Sequence, residues 1–382
     1  MRVPRIRVDD FNNNFEKKTF GEIVRSISTR MYIKSVVSDL GEYEVIQQGD
    51  TPILGYSNDQ PFEKYKSVIL FGDHTLSLYR PKAPFLLATD GIKILQSTIL
   101  KRDYLYYLTQ NYIPKSQGYK RHYSVLKQVF VNYSRDSSEQ SAIGSLFRTL
   151  DDLLASYKDN LANYQSFKET MLFKMFPKAG QTVPEIRLDG FDGEWEKSKL
   201  KDVAHRVQGN DGRMDLPTLT ISASGGWMDQ IDRFSANIAG KEQKNYTLLK
   251  KGELSYNHGN SKLAKYGVVF ELQEYEEALV PKVYHSFRVN QLADSKFIEI
   301  MFSTKIPDRE LGKLISSGAR MDGLLNISFD DFMNITIIIP TLEEQQAVGA
   351  YFSNLDNLIN SHQEKISQLE TLKKKLLQDM FI

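Results

Sequence analysis

Residues 139–176 read EQSAIGSLFRTLDDLLASYKDNLANYQSFKETMLFKMF, and residues 344–381 read EQQAVGAYFSNLDNLINSHQEKISQLETLKKKLLQDMF. Aligned without a gap, the two stretches are identical at about a third of positions, and most other differences are exchanges such as Ile143 for Val348 or Leu154 for Ile359. One helical segment therefore occurs twice. Apolar or aromatic residues recur in the first copy at Ile143, Phe147, Leu150, Leu154, Tyr157, Leu161, Tyr164, Phe167, Met171 and Met175. These are mostly spacings of three and four, the signature of a heptad-like stripe. The second copy carries Val348, Phe352, Leu355, Ile359, His362, Ile366, Leu369, Leu372, Leu376 and Met380 in the same register, so the stripe is duplicated along with the letters.

The duplication reaches beyond the helix. VPRIRVDDFNNNFEKKTFGEIV, residues 3–24, matches VPEIRLDGFDGEWEKSKLKDVA, residues 183–204. Each half of the chain is thus a leading segment, a globular insert (25–138 and 205–343) and the repeated helix. The inserts do not align by eye. The boundaries read from this pattern are 1–138 for a leading segment and first domain, 139–182 for the central helix and linker, 183–343 for the second leading segment and domain, and 344–382 for the second helix.

A helix of this length extends about 57 Å, too long for one small core, so it should pack along a similar partner. The other copy is the obvious one, although a coiled coil that joins two chains is an open alternative. The order of the repeats favours an antiparallel internal pair. The first helix runs on through residues 177–182 into the second leading segment, and the first leading segment could fill the equivalent place beside the second helix, giving a pseudo-twofold, circular layout. Ser137 or Ser138 with Glu139 is expected to start the first helix, and Pro340 or Thr341, followed by Glu343 and Glu344, the second. The fold class expected is α/β (α+β): two globular domains separated by two long helices packed as an antiparallel coiled coil.

With 382 residues the chain can form two cores. The absence of cysteine excludes disulfides, thiolate metal sites and cysteine nucleophiles. No apolar run approaches the roughly 20 residues of a membrane helix and no signal peptide is apparent, so the cytoplasm is the expected location and no membrane partner is expected. The net charge is +1, which argues against a surface uniformly coated for nonspecific nucleic-acid binding. The charge is nevertheless uneven: 15 Lys and Arg against 10 Asp and Glu in the first insert, and 16 against 18 in the second. Residues 104–135 hold Lys115, Lys120, Arg121, Lys127 and Arg135 with no acid among them, a local basic patch.

Both inserts read as mixed α/β. Strands are expected at 67–71, 85–88, 92–95, 268–272, 282–289 and 335–339, and helices at 104–111, 294–303 and 309–316. Three loops carry the polar and basic side chains that base reading needs. SQGYKRHYS, residues 116–124, offers Gln117, Tyr119, Lys120, Arg121 and His122. SYNHGNSKLAK, residues 255–265, offers Tyr256, Asn257, His258, Asn260 and Lys262. SSGARMDGLLN, residues 316–326, offers Arg320. Singly, each is as compatible with a solvated surface. The first and third, however, precede the repeated helix at similar distance, each as Ser, Gly, then Arg.

Catalytic patterns are missing. There is no Gly-rich phosphate loop with Lys and Ser or Thr, no GxGxxG, and no Asn or Asp followed by Pro-Pro and an aromatic. The six histidines are scattered, with none placed at metal-ligand spacing. No catalytic residue, metal or cofactor is expected. Leu150, Leu154, Tyr157, Leu161, Leu355, Ile359, His362 and Ile366 are the expected helix-packing residues.

Two unlike α/β inserts in a duplicated frame, with a helix that begins near Pro340-x-Leu342-Glu343-Glu344-Gln345 and ends Leu376-Leu377-x-x-Met380-Phe381, resemble the specificity subunit of type I restriction-modification systems. Phe11 and Phe15, with Phe191 and Trp195, fit its leading motif. The resemblance covers the whole chain. It implies a non-catalytic, DNA-binding subunit whose two target-recognition domains each read one half of a bipartite, asymmetric site. The helices would fix the gap between the halves. The implied partners are double-stranded DNA, two methyltransferase subunits and, in the full complex, motor-nuclease subunits. A coiled-coil scaffold without DNA recognition is the competing reading, and a stand-alone nucleic-acid enzyme a further one.

Overall fold

A computed structural model describes residues 4–8, 11–34, 36–118, 120–223, 225–234, 240–259, 261–315 and 323–381. The chain divides into two compact units, one formed by Met1–Asn160 with His362–Ile382, the other by Leu161–Ser361. Both long helices are continuous, over Ser137–Lys174 and Leu342–Met380, and each contributes a part to either unit.

In the first unit the helices run antiparallel. Lys373 Nζ lies 2.5 Å from Asp151, Lys158 Nζ 2.6 Å from Glu370, and the rings of Tyr157 and His362 are 5.3 Å apart. In the second unit Lys168 Nζ lies 2.5 Å from Asp356, and the rings of Phe176 and Phe352 are 6.4 Å apart. The Lys373–Asp151 and Lys168–Asp356 pairs occupy corresponding positions in the duplicated helix. The stripe holds at Leu150, Leu154, Leu355 and Ile366, which are buried, and at Tyr157, Leu161, Ile359 and His362, which are half-buried. It fails at one matched pair: Phe167 and Leu372 are 47% and 45% exposed. A straight helix drifts about 20° per heptad against a 3.5-residue repeat, and the next residues, Lys168 and Lys373, turn toward the acids of the facing helix instead.

The helix starts are clamped in the same way in both units. Glu139 and Glu344 accept forked hydrogen bonds from Arg7 (2.6 and 2.9 Å) and Arg187 (2.8 and 2.6 Å) of the leading segments. The adjoining glutamines tie the helix to the insert. Gln140 Nε2 donates to the carbonyls of Ser134 and Ile99 while its Oε1 accepts from Lys101 N–H; Gln345 Nε2 donates to Pro340 and Leu292 while its Oε1 accepts from Asp294 N–H. Asp136, rather than Ser137 or Ser138, caps the first helix, accepting from the N–H groups of Ser138 and Glu139. Thr341 accepts from Glu344 N–H at the second.

The helix ends complete the cores. Phe381 packs against Tyr104 (5.2 Å) and Phe147 (6.1 Å), and Phe176 packs against Phe297 (5.5 Å), Trp195 (5.7 Å) and Phe352. The leading segments then dock on those ends, Arg5 and Ile6 N–H donating to Asp379 O in the first unit and Ile186 N–H to Lys174 O in the second. In each unit the leading segment thus takes the same place beside a helix end, as expected from the order of the repeats.

The inserts share a sheet plan that their letters hide. In the first unit Arg25–Ile27, Ile92–Gln96, Val68–Gly72 and Leu78–Tyr79 lie side by side; in the second, Ala204–Arg206, His285–Val289, Leu254–Asn257 and Val268–Glu271. All neighbours in both sheets are antiparallel. Helices Arg102–Tyr112 and Ser295–Ser303 occupy equivalent places. Each leading segment adds a two-stranded ribbon, Glu16–Thr19 with Phe130–Tyr133 and Glu196–Lys199 with Thr336–Ile339. Periodicity did not mark the charged strands of these ribbons, because each pairs along a single edge.

Candidate nucleic-acid interface

In the first unit the strand Val68–Gly72 ends at Asp73, and the basic loop hangs from this residue. His122 N–H donates to the Asp73 carbonyl (2.9 Å), Tyr123 N–H donates to the Asp73 carboxylate (2.7 Å), and the His122 ring bridges the two ends of the turn. Its Nε2 accepts from Gln117 N–H (3.0 Å), which leaves Nδ1–H to donate to Asp73 O (3.0 Å). His122 is buried and so has no surface to offer a base. Its place is the root of the loop, which corrects the reading of it as a contact residue. Gln117, Lys120 and Arg121 are exposed. Arg121 is 66% exposed and its approach to Asp90 is 3.5 Å, an open pair of small energy that leaves the guanidinium available. Tyr119 lies outside the described residues.

The second unit treats its loops similarly. Tyr256 and His258 are buried, and both are corrections to the reading of them as surface groups. Tyr256 stacks on Phe332 at 4.4 Å and donates its hydroxyl to Tyr266 O. The His258 ring stacks on His285 at 4.7 Å, with its nitrogens 2.7 Å from Leu325 O and 2.8 Å from Val283 O. Burial drives the His285 imidazole pKa down to about 4, so this ring is neutral near pH 7. Asn257 is tied down as well, donating to Ile221 O and accepting from Gly259 N–H. Lys262 is exposed. Asn260 and Arg320 lie outside the described residues.

The described end of the third loop, residues 323–326, is anchored as the first loop is. Val68–Gly72 and Leu254–Asn257 are equivalent strands, followed by Asp73 and His258. The Asp73 carbonyl accepts from His122 N–H and the His258 carbonyl accepts from Leu325 N–H, both at 2.9 Å. Both Arg-bearing stretches therefore lead into a residue bonded just beyond the same strand end. The bridge between Gly259 and Leu324 brings the second loop beside the third. Among the described residues no group of three or more His, Asp or Glu side chains is placed to hold a metal ion. No described helix is long and apolar enough to cross a membrane.

Residues 192–371 match the family of the type I restriction modification DNA specificity domain. The type I restriction enzyme MjaVIII specificity subunit of Methanocaldococcus jannaschii is 21% identical over 314 residues, a match covering 76% of this chain and 72% of that protein. The crystal structure of a type I restriction-modification system S subunit from M. genitalium superposes with a TM-score of 0.62 at 14% identity, over 100% of this chain and 99% of that one. The resemblance read from the repeats thus holds for sequence, over residues 192–371 and in the relative, and for fold over the whole chain.

Proposed function

We propose that the chain is the non-catalytic, DNA-reading subunit of a type I restriction-modification complex, with each unit reading one half of a bipartite, asymmetric duplex site. The observation that carries this reading is that two unlike stretches are tied, at His122 and at Leu325, to the residue just beyond the same sheet strand, in two units built on one duplicated frame. A repeated frame gives two equivalent placements, and different loop letters give two different half-sites. Exposed Gln117, Lys120 and Arg121 supply the donors suited to base edges and phosphates in the first unit, and Lys262 contributes in the second. The long helices, continuous through both units, fix the gap of unread bases. Two methyltransferase subunits dock on the duplicated frame, and motor-nuclease subunits join the full complex. The cofactor chemistry of modification then belongs to the methyltransferase partners, and the cytoplasm is where all of these partners meet.

The test is binding of the chain, with and without its methyltransferase partner, to duplex pools of random sequence at several salt concentrations. Enrichment of a split sequence above the salt-sensitive nonspecific background is expected. Absence of any sequence preference in both conditions would return the chain to the scaffold reading.

A further inference from the structure

The first unit holds a cleft of about 860 Å³ between the long helix Ser137–Lys174 and the insert helix Arg102–Tyr112. Gly144 lets the two helices close on each other, since a side chain begun there would stand 3.1 Å from Asp103 Cβ and from Tyr104 N. Lys66, Arg80, Lys82, Lys101, Arg102 and Arg148 line the cleft, against only Asp103 and Asp152. The acids nearby are oversubscribed. Asp103 meets Arg80 Nη1 at 3.5 Å, Arg102 Nε at 3.6 Å and Arg148 Nη1 at 3.6 Å, three long approaches to one carboxylate in place of a single tight fork. Asp151, which Arg80 also reaches at 3.2 Å, is already engaged by Lys373 at 2.5 Å and by the Tyr107 hydroxyl at 2.6 Å. Lys66, Lys82 and Lys101 are exposed and enter no ion pair among the described residues.

A concave wall lined mostly by one sign of charge gathers counter-ions, and guanidiniums that share one acid leave forked donors for a further carboxylate. Two observations favour the carboxylates of a polypeptide over nucleic acid. The first is the state of the aromatic rings. Arg80 lies over Tyr106 at 4.5 Å and Lys66 over Tyr65 at 5.8 Å, so cations already cover ring faces on which bases would stack. The second is position. Leu70 pairs with Tyr79 and Phe71 with Leu78, which sets Arg80 and Lys82, like Lys66, by the start of the strand Val68–Gly72. The basic loop is anchored at Asp73, beyond the other end of that strand, so the cleft faces away from the groups that read the duplex. The cleft is also confined to one unit. The glutamine clamps match Lys101 with Asp294 and Arg102 with Ser295, and the helix repeat matches Arg148 with Ser353. An acidic partner therefore finds no equivalent seat in the second unit, in contrast to a partner held by the duplicated frame.

We propose that the cleft lined by Lys66, Arg80, Lys101, Arg102 and Arg148 receives an Asp- and Glu-rich segment of a partner polypeptide, which thereby engages the first unit only. The proposal stands apart from DNA reading, and its test measures the two separately. The probes are fluorescein-labelled octaglutamate, labelled octaglutamine and a labelled duplex of random sequence, each titrated into the full chain at constant ionic strength and followed by anisotropy. Octaglutamate should bind saturably and octaglutamine should not. The combined Lys66→Gln, Lys101→Gln and Arg148→Gln variant should bind octaglutamate at least about tenfold more weakly while holding the duplex within about twofold of the parent. The charge-keeping variant with Lys66→Arg, Lys101→Arg and Arg148→Lys should retain octaglutamate binding, which separates lost charge from lost fold. Arg121→Ala, at the far end of the sheet, should leave octaglutamate binding unchanged. Equal binding of the two peptides, an unchanged octaglutamate affinity in the glutamine variant, or the same loss in Arg121→Ala would each overturn the proposal. A duplex loss equal to the peptide loss would make the cleft a phosphate-backbone seat, and self-association of the parent that the glutamine variant lacks would make its occupant a second copy of the chain; either result also overturns it.

Discussion

Arg187 reaches across more than 150 positions of sequence to fork onto Glu344, whose carboxylate is buried and also accepts from Trp195 Nε1–H at 3.3 Å. Arg7 repeats the fork with Glu139. The aligned leading segments contain both arginines, but no periodicity marks their partners, so the sequence suggested only that these glutamates suit the positive end of a helix. Truncating one member of such a pair leaves a buried charge unmatched. We expect Arg187→Ala to lower the stability of the second unit by about 3–5 kcal/mol in urea unfolding followed by Trp195 emission. His122, Tyr256 and His258 were misread for a related reason. Polar residues in loop-like strings look exposed, yet Tyr256 and His258 stand at the end of the strand Leu254–Asn257 and His122 packs against the end of Val68–Gly72, each closing its turn from within. Arg121, which does stand open, should cost about 1–3 kcal/mol of binding to one half-site when changed to Ala, with the other half-site unaffected. Equal loss at both halves would make it a general phosphate contact.

The buried titrating groups of the second unit oppose each other. Burial lowers the His285 pKa from 6.5 to about 4, so between those values the unfolded chain holds a proton that the folded chain does not, and stability falls as pH drops. Burial raises the Glu271 pKa from 4.5 to about 7, with Glu299 and Asp294 adding to the rise and Gln273 and Lys296 opposing it. There the folded chain holds the extra proton, and stability falls as pH rises through about 7. Glu271→Gln removes only the second effect. The variant should therefore match the parent near pH 4.5 and exceed it above pH 7, by on the order of 3 kcal/mol at most. Urea midpoints across that range would measure the gap, and a constant offset at all pH values would contradict it.

At the scale of the element, the long helix was the most legible part of the chain, in extent, stripe and duplication. Its exceptions were not legible. Phe167 and Leu372 fit the letter pattern and still face outward, because the drift of a straight helix brings the following lysines inward. The glutamine of each Glu-Gln pair was legible as a repeat but not as the clamp between helix and insert. Gln345→Ala strips partners from Pro340 O, Leu292 O and Asp294 N–H at a buried site, and about 1–3 kcal/mol of stability should go with each group left unpaired. The helices also carry the ruler argument. Inserting one turn, about four residues, into both long helices at facing levels should change the gap between half-sites in selected DNA while leaving the half-sites themselves intact. An unchanged gap would refute the ruler.

For the whole molecule, the order of the repeats foretold that the first leading segment docks beside the end of the second helix, as the second does beside the end of the first. The shared sheet plan of the inserts was hidden. Sheet order is fixed by which strands pair, whereas the letters on those strands answer to each unit's own core and loops, so equivalent strands such as Val68–Gly72 and Leu254–Asn257 have little in common to the eye. On the proposed function, the same freedom lets one frame carry two different readers. The most direct measurement is genome-wide mapping of methylated bases in cells that lack this chain, that carry it, and that carry its Arg121→Ala variant. The account predicts a split, asymmetric methylated motif that appears only with the chain, and relaxation of one half alone in the variant. A continuous motif, a motif independent of the chain, or equal loss of both halves would contradict it.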